Sequence, residues 1–381
     1  MPKQERHGQI RPESKNKIPH ILVVGPLPPP LAGTSISFKL FCSEIEHHPA
    51  KLHAEIINSA PKQLNGQTAL FTAANFTTAM RIFWQFWRRI KYADQVLIFG
   101  SNQFLLSMGS ICLWIAKILG KPCYIRVFGG SLDLYCSSLH LILRRFFLQT
   151  LHRADGLIVQ TKLLCSHFTY LVGGAVHMVP GYRALPESGN GCPNSDSKFE
   201  GRLRLVFLSH VREEKGIFTL LESLRNLSSQ GNKSVECDIF GPIYPSISAR
   251  FKRELVATNN ATYNGVLSQD QIVRTLSQYH ALVFPTHYQG EGHPGVVIEA
   301  IMAGIAVVTT AFRSLPEVVQ DRVNGLLVPP QDPQSLMDAI VLIDNDRQLL
   351  VDMAKQSWEM RTRYSVAELV PLILRPMGID V

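Results

Sequence analysis

The sequence predicts an α/β protein of two doubly wound domains, and three observations support this prediction. Short apolar runs, each about as long as a buried strand, alternate with segments of helical pattern. This alternation starts near residue 18, stops at a stretch rich in Gly, Ser, Pro and Asn at 185–201, and then starts again. The length of 381 residues suits two domains of ordinary size.

The first predicted domain covers 18–184 and follows a basic, polar tail at 1–17. Its first unit is the apolar run Ile18–Gly25, a loop rich in Pro and Gly, and a helical stretch at about 35–46. Strand, glycine-containing loop and helix in this order form the first unit of a doubly wound domain. The other strands predicted in this domain are Gln95–Gly100, Pro122–Gly129 and Gly156–Gln160.

The second predicted domain covers 202–357, and the stretch at 185–201 is the predicted linker before it. We expect the remaining residues, 358–381, to form a helical segment that could pack back on the first domain. The strands predicted in the second domain are Arg204–Leu208, Val235–Gly241, His280–Pro285, Ile305–Thr309 and Gly325–Val328.

Composition argues against several classes of protein. A hydrophobic fraction of 46% argues against a disordered chain. The seven cysteines are odd in number and lack a C-x-x-C pair, so they predict neither a disulfide framework nor a zinc site and favour a reducing cytoplasm. The first 17 residues lack the apolar core of a signal peptide. The longest apolar stretch, Phe104–Leu119, contains Lys117 and is shorter than the ~20 residues of a spanning helix.

The excess positive charge lies in the first half of the chain. Residues 1–200 carry 21 Lys and Arg against 11 Asp and Glu, whereas 201–381 carry 17 against 19. Because zinc fingers and RNP-like aromatic patterns are missing from the sequence, we expect no nucleic acid partner and favour anionic lipid. Ala79–Tyr92 and Leu139–Arg153 mix large apolar side chains with arginines, as interfacial helices do, although core aromatics and solvated arginines would give the same composition. We therefore expect a cytoplasmic protein on the inner face of the membrane.

The segment Pro285–Gly304 carries the strongest chemical signal. A predicted strand ends at its start, a Gly-rich loop follows, and a helix begins near Pro294. The free N–H groups and partial positive charge of a helix N-terminus favour phosphate. Glu291 in the loop and Glu299 in the helix add carboxylates, which accept hydrogen bonds from sugar hydroxyls. This pattern indicates a ligand with both phosphate and polyhydroxyl parts.

The same segment reads E-G-x-P-G-x-x-x-E-A-x-x-x-G from Glu291 onward and resembles glycosyltransferase family 4. The resemblance continues through 203–224, 263–276, Leu315–Glu317 and Asn324–Pro330, and is looser in the first domain. It implies the GT-B fold, in which two Rossmann-like domains face each other across a cleft. It also implies a retaining enzyme that uses a nucleotide sugar.

The resemblance implies roles for five residues. Glu299 would accept hydrogen bonds from the donor ribose, and Glu291 would contact hydroxyls of the transferred sugar. The backbone at Gly295 and Val296 would approach the diphosphate. Lys215 would meet the leaving diphosphate and supply the positive charge that a metal supplies elsewhere, so we expect no metal site.

Five further donor-side candidates follow from the resemblance. His210 stands where the family often has an arginine, and Arg212 is near enough in sequence to replace it. A neutral imidazole can donate a hydrogen bond to phosphate, but it adds charge only below its pKa, near 6.5 when unperturbed. The remaining candidates are Gly33 in the first glycine-containing loop, Val266 in the YNGV segment and His293 in the donor loop.

On the acceptor side the candidates are Gly129 and Gly130, which leave room for close approach. Just before them, Phe128 stands where many members of the family have a histidine that faces the sugar. This departure removes a basic group from the acceptor side.

The sequence therefore predicts a metal-independent hexosyltransferase that acts in bacterial cell-surface polysaccharide or lipid-linked glycan synthesis. We expect a UDP- or GDP-linked sugar as co-substrate, no bound cofactor, and a glycan or lipid-linked acceptor. The alternative is a non-catalytic accessory subunit that binds the nucleotide sugar, and Phe128 and His210 keep this alternative open. A dehydrogenase fits less well, because no predicted strand ends in G-x-G-x-x-G.

Overall fold

A computed structural model of the chain describes residues 18–60, 73–173, 175–186, 199 and 201–381, with the backbone alone at 73–75. The predicted tail at 1–17 and most of the predicted linker lie outside the described residues. The described residues form two six-stranded sheets in which all pairs of neighbouring strands are parallel. This confirms the predicted fold class of two doubly wound α/β domains.

The first sheet has the strand order β2-β1-β3-β4-β5-β6. Its strands are β1 (His20–Gly25), β2 (His53–Asn58), β3 (Gln95–Gly100), β4 (Cys123–Val127), β5 (Gly156–Val159) and β6 (Val176–Met178). The helices of this domain are α1 (Gly33–Glu46), α2 (Ala73–Arg89), α3 (Asn102–Phe104), α4 (Ser110–Ile118), α5 (Leu132–Ser138), α6 (Leu141–Arg153) and α7 (Lys162–Val172). A π-helical turn at Leu105–Gly109 joins α3 to α4.

The second sheet has the strand order β12-β11-β10-β7-β8-β9. Its strands are β7 (Leu203–Leu208), β8 (Val235–Phe240), β9 (Ala261–Tyr263), β10 (Ala281–Phe284), β11 (Ala306–Thr310) and β12 (Gly325–Val328). The helices of this domain are α8 (Ile217–Ser229), α9 (Ser248–Val256), α10 (Ile272–Leu276), α11 (Gly295–Met302), α12 (Pro333–Asn345) and α13 (Arg347–Met360). Across the described part of the chain, every helix is too short or too polar to cross a membrane.

The four central strands of the first sheet, β1, β3, β4 and β5, bury both of their faces, as parallel strands between two helical layers do. Successive side chains point to opposite faces, so Leu22 and Val24 enter one core while Ile21 and Val23 enter the other. The second of these cores also contains Phe38 and Phe41 of α1.

The last helix, α14 (Val366–Leu374), belongs to the first domain by its packing. Leu369 and Ile373 lie in the same core as Ile21 and Phe38, and the side chain of Gln95 donates to the carbonyl of Met377 at 3.0 Å. The chain therefore crosses between the domains twice, once before β7 and once between α13 and α14.

In each sheet the order of strands reverses at one point, between β1 and β3 in the first domain and between β7 and β10 in the second. Open α/β sheets bind ligands outside the carboxyl ends of the strands at such points. The loops that follow β4 and β10 are in contact, since Gly130 N–H donates to the carbonyl of Gly290 at 3.1 Å. The carboxyl ends of the two sheets therefore face each other across an interdomain cleft.

Candidate active site

The N-terminus of α11 lies at the centre of this cleft. Pro294 is the N-cap, and the helix runs from Gly295, close to the predicted start. Proline before the first turn costs the helix no hydrogen bond, because the first N–H groups of a helix have no partner within it. The free N–H groups at Gly295 and Val296 therefore give this point of the cleft a partial positive charge.

Glu291 lies in the loop before α11 and is 6% exposed. Its carboxylate accepts hydrogen bonds from the Lys215 ammonium group and from the Thr286 hydroxyl, the latter at 3.2 Å. The Lys215 Nζ also lies 4.5 Å from the centroid of the Tyr288 ring. The structure thus places two predicted catalytic residues in one buried ion pair, in which each charge compensates the other.

Gly216, next to Lys215, is a position that only glycine suits. Its φ is +81°, and a Cβ there would lie 2.0 Å from the carbonyl oxygen of Pro285. The loop after β7 therefore lies directly on the end of β10, which brings Lys215 to Glu291.

Glu299 lies in α11 and is 4% exposed. Its Oε1 accepts hydrogen bonds from Arg183 Nε at 2.7 Å and from Gln269 Nε2 at 3.1 Å. The sequence analysis predicted neither partner. Val266 itself is exposed, and the loop that carries it reaches Glu299 through Gln269.

His210 and Arg212 both follow β7. Desolvation lowers the pKa of His210, and the neighbouring charges of Lys215 and Arg212 lower it further. Arg212 lies over the ring of Tyr244, 4.7 Å from its centroid, and pairs with Glu214 at 3.4 Å. His210 is therefore neutral at pH 7. The guanidinium of Arg212 is occupied by its contacts with Tyr244 and Glu214.

His293 lies between the two domains. Its Nδ1 accepts the N–H of Gly181 at 3.4 Å, and its Nε2 lies 3.4 Å from a carboxylate oxygen of Glu317. Glu317 also accepts the backbone N–H groups of Lys162 and Leu163, at 2.7 and 3.2 Å, at the start of α7. A carboxylate of the second domain thus caps a helix of the first domain.

The pKa of Glu317 reflects these contacts. Desolvation alone would raise it, but the hydrogen bonds from His293, Lys162 and Leu163 outweigh this effect and hold the pKa below its usual value. Glu317 is therefore ionised at neutral pH and acts as a charged acceptor across the domain boundary.

Gly130 and Arg313 form another contact between the domains. A Cβ on Gly130 would lie 1.8 Å from the carbonyl oxygen of Glu291, so only glycine allows this approach. Arg313 Nη2 donates to the Gly130 carbonyl at 2.6 Å and to Asp133 at 2.7 Å. Gly129, with φ +88°, donates its N–H to Gln160 at 3.2 Å. The predicted acceptor-side glycines therefore lie against the donor loop.

Phe128 and Gly33 are the remaining residues of the first domain that the resemblance singled out. Phe128 is buried in the core beside α1, with its ring centroid 5.7 Å from that of Phe99, so it brings no polar group to the site. Gly33 begins α1, and a Cβ there would lie 3.9 Å from Arg183 Nη2.

Comparison with known proteins identifies the second domain. Residues 193–360 match the family model described as glycosyl transferases group 1. The second domain belongs to this family. The match contains Lys215, Glu291 and Glu299, whereas Arg183, the partner of Glu299, lies before its first residue.

Curated proteins match this chain over stretches of similar length. The amylovoran biosynthesis glycosyltransferase AmsK of Erwinia amylovora is 29% identical over 141 residues, which are 35% of this chain and 34% of that protein. A GDP-mannose-dependent mannosyltransferase of Mycobacterium tuberculosis, named for phosphatidylinositol monomannoside, is 26% identical over 168 residues, 41% of this chain and 43% of that protein. The chain therefore matches less than half the length of these relatives.

Solved structures match the fold over nearly the whole chain. HepE of Anabaena, determined in complex with UDP, has a TM-score of 0.69 at 15% identity and covers 95% of this chain and 100% of its own. A sucrose-phosphate synthase of Thermosynechococcus elongatus has a TM-score of 0.71 at 16% identity and covers 94% and 99%. These matches place the group 1 domain within the GT-B arrangement of two facing Rossmann-like domains.

Proposed function

We propose that this protein is a retaining glycosyltransferase that transfers a sugar from a nucleotide sugar to a hydroxyl acceptor. The observation that carries the proposal is the arrangement around α11. Two buried glutamates, Glu291 and Glu299, flank a helix N-terminus in the interdomain cleft, and each is paired with a cation. Carboxylates suit hydroxyl groups, and the helix N-terminus with Lys215 suits a diphosphate.

Each part of a nucleotide sugar has a matching group in this arrangement. The ribose would meet Glu299, the diphosphate would meet Lys215 and the N–H groups of Gly295 and Val296, and the sugar would meet Glu291. Positive charge fixed before the reaction stabilises the charge that develops on the leaving diphosphate. The sugar–phosphate bond breaks, the acceptor oxygen bonds to the anomeric carbon on the same face, and the acceptor proton passes to the leaving diphosphate.

The choice of nucleotide is tested by binding. UDP is bound in the HepE structure, while the mycobacterial relative is named as GDP-mannose-dependent, so both nucleotides are candidates. A thermal-shift screen with UDP-, GDP- and ADP-sugars should show stabilisation by one class. Purified protein should then hydrolyse or transfer the sugar of that donor.

The alternative of a non-catalytic accessory subunit gives a different outcome in the same assays. Such a subunit would bind the nucleotide sugar without any turnover. The absence of binding to all three classes of donor would contradict both proposals.

We further propose that the acceptor is a cell-surface glycan or a lipid-linked glycan. The support comes from the names of the relatives, one for amylovoran biosynthesis and one for phosphatidylinositol monomannoside. A lipid-linked acceptor requires that the first domain approach a membrane surface.

The surface of the first domain supports such an approach. On α2, Trp84 and Trp87 are exposed, while Phe86 is fully buried. On α6, Leu141 and Ile142 are likewise exposed. The large apolar side chains of both segments are thus divided between core and surface, and the exposed ones lie close in sequence to the exposed Arg88 and Arg145, which suits an anionic interface.

Co-sedimentation with liposomes tests this proposal. The double variant Arg88→Glu with Arg145→Glu should bind anionic vesicles more weakly than the wild type, and high salt should weaken wild-type binding. The matched control is Lys252→Glu with Arg253→Glu, which reverses two exposed charges of the second domain. Equal sedimentation with neutral vesicles, or an equal loss in the control, would contradict the proposal.

A further inference from the structure

We infer that Arg183 is a diphosphate-binding residue of the donor site, supplied from outside the group 1 domain fold. This inference rests on the proposed function. The residue follows β6 and is 7% exposed, so its charge is almost fully withdrawn from water. A buried guanidinium needs compensating acceptors, and the identity of these acceptors shows what the residue can bind.

Protein groups accept hydrogen bonds from two of the three nitrogens of the Arg183 guanidinium. Nε donates to Glu299 at 2.7 Å, and Nη1 donates to the Ser37 hydroxyl at 3.0 Å and to the Tyr182 carbonyl at 2.9 Å. These contacts fix the plane of the group and leave Nη2 pointing between the two domains.

The position of Nη2 indicates a diphosphate. A Cβ built on Gly295 would lie 1.5 Å from Nη2, and one built on Gly33 would lie 3.9 Å from it. The guanidinium fills the space between these two glycines, so a phosphate bound at the N-terminus of α11 would lie next to Arg183.

Electrostatics favours an anion at this point. Arg183 lies at the N-terminus of α11, where the helix carries partial positive charge, and Lys215 adds a second cation nearby. In the ligand-free arrangement Glu299 offsets the charge of Arg183, and Glu291 offsets that of Lys215. When ribose and sugar hydroxyls occupy the two glutamates, the diphosphate becomes the natural counterion of both cations.

Because His210 is neutral, the position where the family often has an arginine supplies no positive charge to the diphosphate. Arg183 can supply that charge. The resemblance places an arginine at 210, but the pKa of His210 is lowered, so this side chain adds no charge at pH 7. Arg212, the sequence-based substitute, lies over Tyr244 and pairs with Glu214. Arg183 then provides the second full charge that a diphosphate leaving group requires.

The backbone of Arg183 is held at the second crossing of the chain. Its N–H donates to the carbonyl of Tyr364 at 2.9 Å, and its carbonyl accepts the N–H of Val366 at 3.0 Å. Arg183 is therefore anchored by its backbone at the place where the chain crosses between the domains.

Calorimetric titration with UDP, uridine, GDP and guanosine tests the assignment in the full-length protein. For the nucleotide that the wild type binds, Arg183→Gln should weaken binding of the diphosphate about 10- to 100-fold, as expected for loss of a charge-assisted contact. Binding of the matching nucleoside should be unchanged or tighter, because Glu299 loses its competing partner. Arg183→Lys should restore part of the preference for the diphosphate.

Arg313→Gln is the matched control, because Arg313 also bridges the domains but contacts Gly130 and Asp133. It should change the affinities for diphosphate and nucleoside by the same factor. If Arg183→Gln did the same, the residue would be structural only, and if it tightened the diphosphate, the residue would be an obstacle to the donor. Either result overturns the assignment. A wild type that binds no nucleoside diphosphate would instead refute the proposed function, and if the glutamine variant does not fold, the lysine variant carries the same comparison.

Discussion

The two domains contribute to the cleft in different chemical ways. The second domain contributes charged side chains, the half-buried Lys215 and the buried Glu291 and Glu299, each of them paired. The first domain contributes mainly backbone groups at Gly33, Gly129 and Gly130, which allow close approach. Between the two, Arg183 is the first domain's single charged contact with a glutamate of the E-x7-E motif among the described residues.

This difference follows from what each side must do under the proposed function. The donor side must stabilise the charge that develops as the diphosphate leaves, and fixed charges do this best. The acceptor side must hold a hydroxyl close to the anomeric carbon, which depends on distance and space more than on charge. Side-chain changes in the second domain should therefore cost more than changes in the first.

The largest expected effect is that of Glu291→Ala. We expect transfer to fall on the order of 1,000-fold, because the sugar loses its carboxylate and Lys215 loses its partner. Initial rates with a saturating donor measure this. Glu299→Ala is the control: its loss should appear chiefly as weaker donor binding. Near-normal turnover in both variants would show that the charge on this side is not catalytic.

A smaller effect is expected for Lys215→Ala. We expect a loss on the order of 100-fold in kcat, typical for removal of one group that stabilises developing charge. Treatment of the wild type with EDTA should leave its rate largely unchanged if protein charges alone stabilise the leaving group. Strict dependence on Mg²⁺ or Mn²⁺ would transfer that function to a metal and remove the contrast between the domains.

Gly130→Ala tests the first domain. The added Cβ would lie 1.8 Å from the Glu291 carbonyl oxygen, so the two domains must move apart. We expect about a 10-fold loss of transfer, since small misplacements of reacting groups cost rate without any loss of charge. Gly33→Ala, whose Cβ would lie at the ordinary distance of 3.9 Å from Arg183, should cost less. The reverse order would show that the acceptor-side approach is not needed.

Glu317→Gln should have the smallest effect on rate and a measurable effect on stability. A charged acceptor of two helix N–H groups contributes about 1–3 kcal/mol, and the amide keeps only part of this. Because the folded-state pKa of Glu317 is lowered, its contribution is present above the ordinary value near 4.5 and is lost as the pH falls through the lowered value.

Thermal unfolding at several pH values measures this contribution. The difference in Tm between the wild type and Glu317→Gln should be largest near neutral pH and should shrink below about pH 4. A difference that does not depend on pH would show that the carboxylate charge does not hold the domains together.

Each strand that the sequence predicted has more than half of its residues buried. β1, β3 and β10 are almost wholly buried, and such strands read as unbroken apolar runs. The strands that it did not predict lie at or beside sheet edges. β2 has one fully buried residue in its six, and β6 and β9 have three residues each and none fully buried. Partial burial removes the apolar signal on which the prediction depends.

The candidate site divides in a similar way. Glu291 and Glu299 could be found because they lie in one segment, eight residues apart, next to a helix start. Arg183 lies 116 residues before its partner Glu299, and the N–H of Lys162 lies 155 residues before Glu317. Contacts at such separations are made by the packing of the two domains, so they cannot be predicted from a local spacing of residues in the sequence.

The position of α14 has a consequence for how the chain folds. Ile373 completes a core that Ile21 begins, so one wall of the first domain is synthesised after the second domain. Until the ribosome has passed α14, the apolar face formed by β1 and α1 has no cover from that helix. Contacts of such long sequence separation form slowly, because a large loop must close before they stabilise anything. The first domain is thus completed only after the group 1 domain has been synthesised, and the group 1 domain can fold before it.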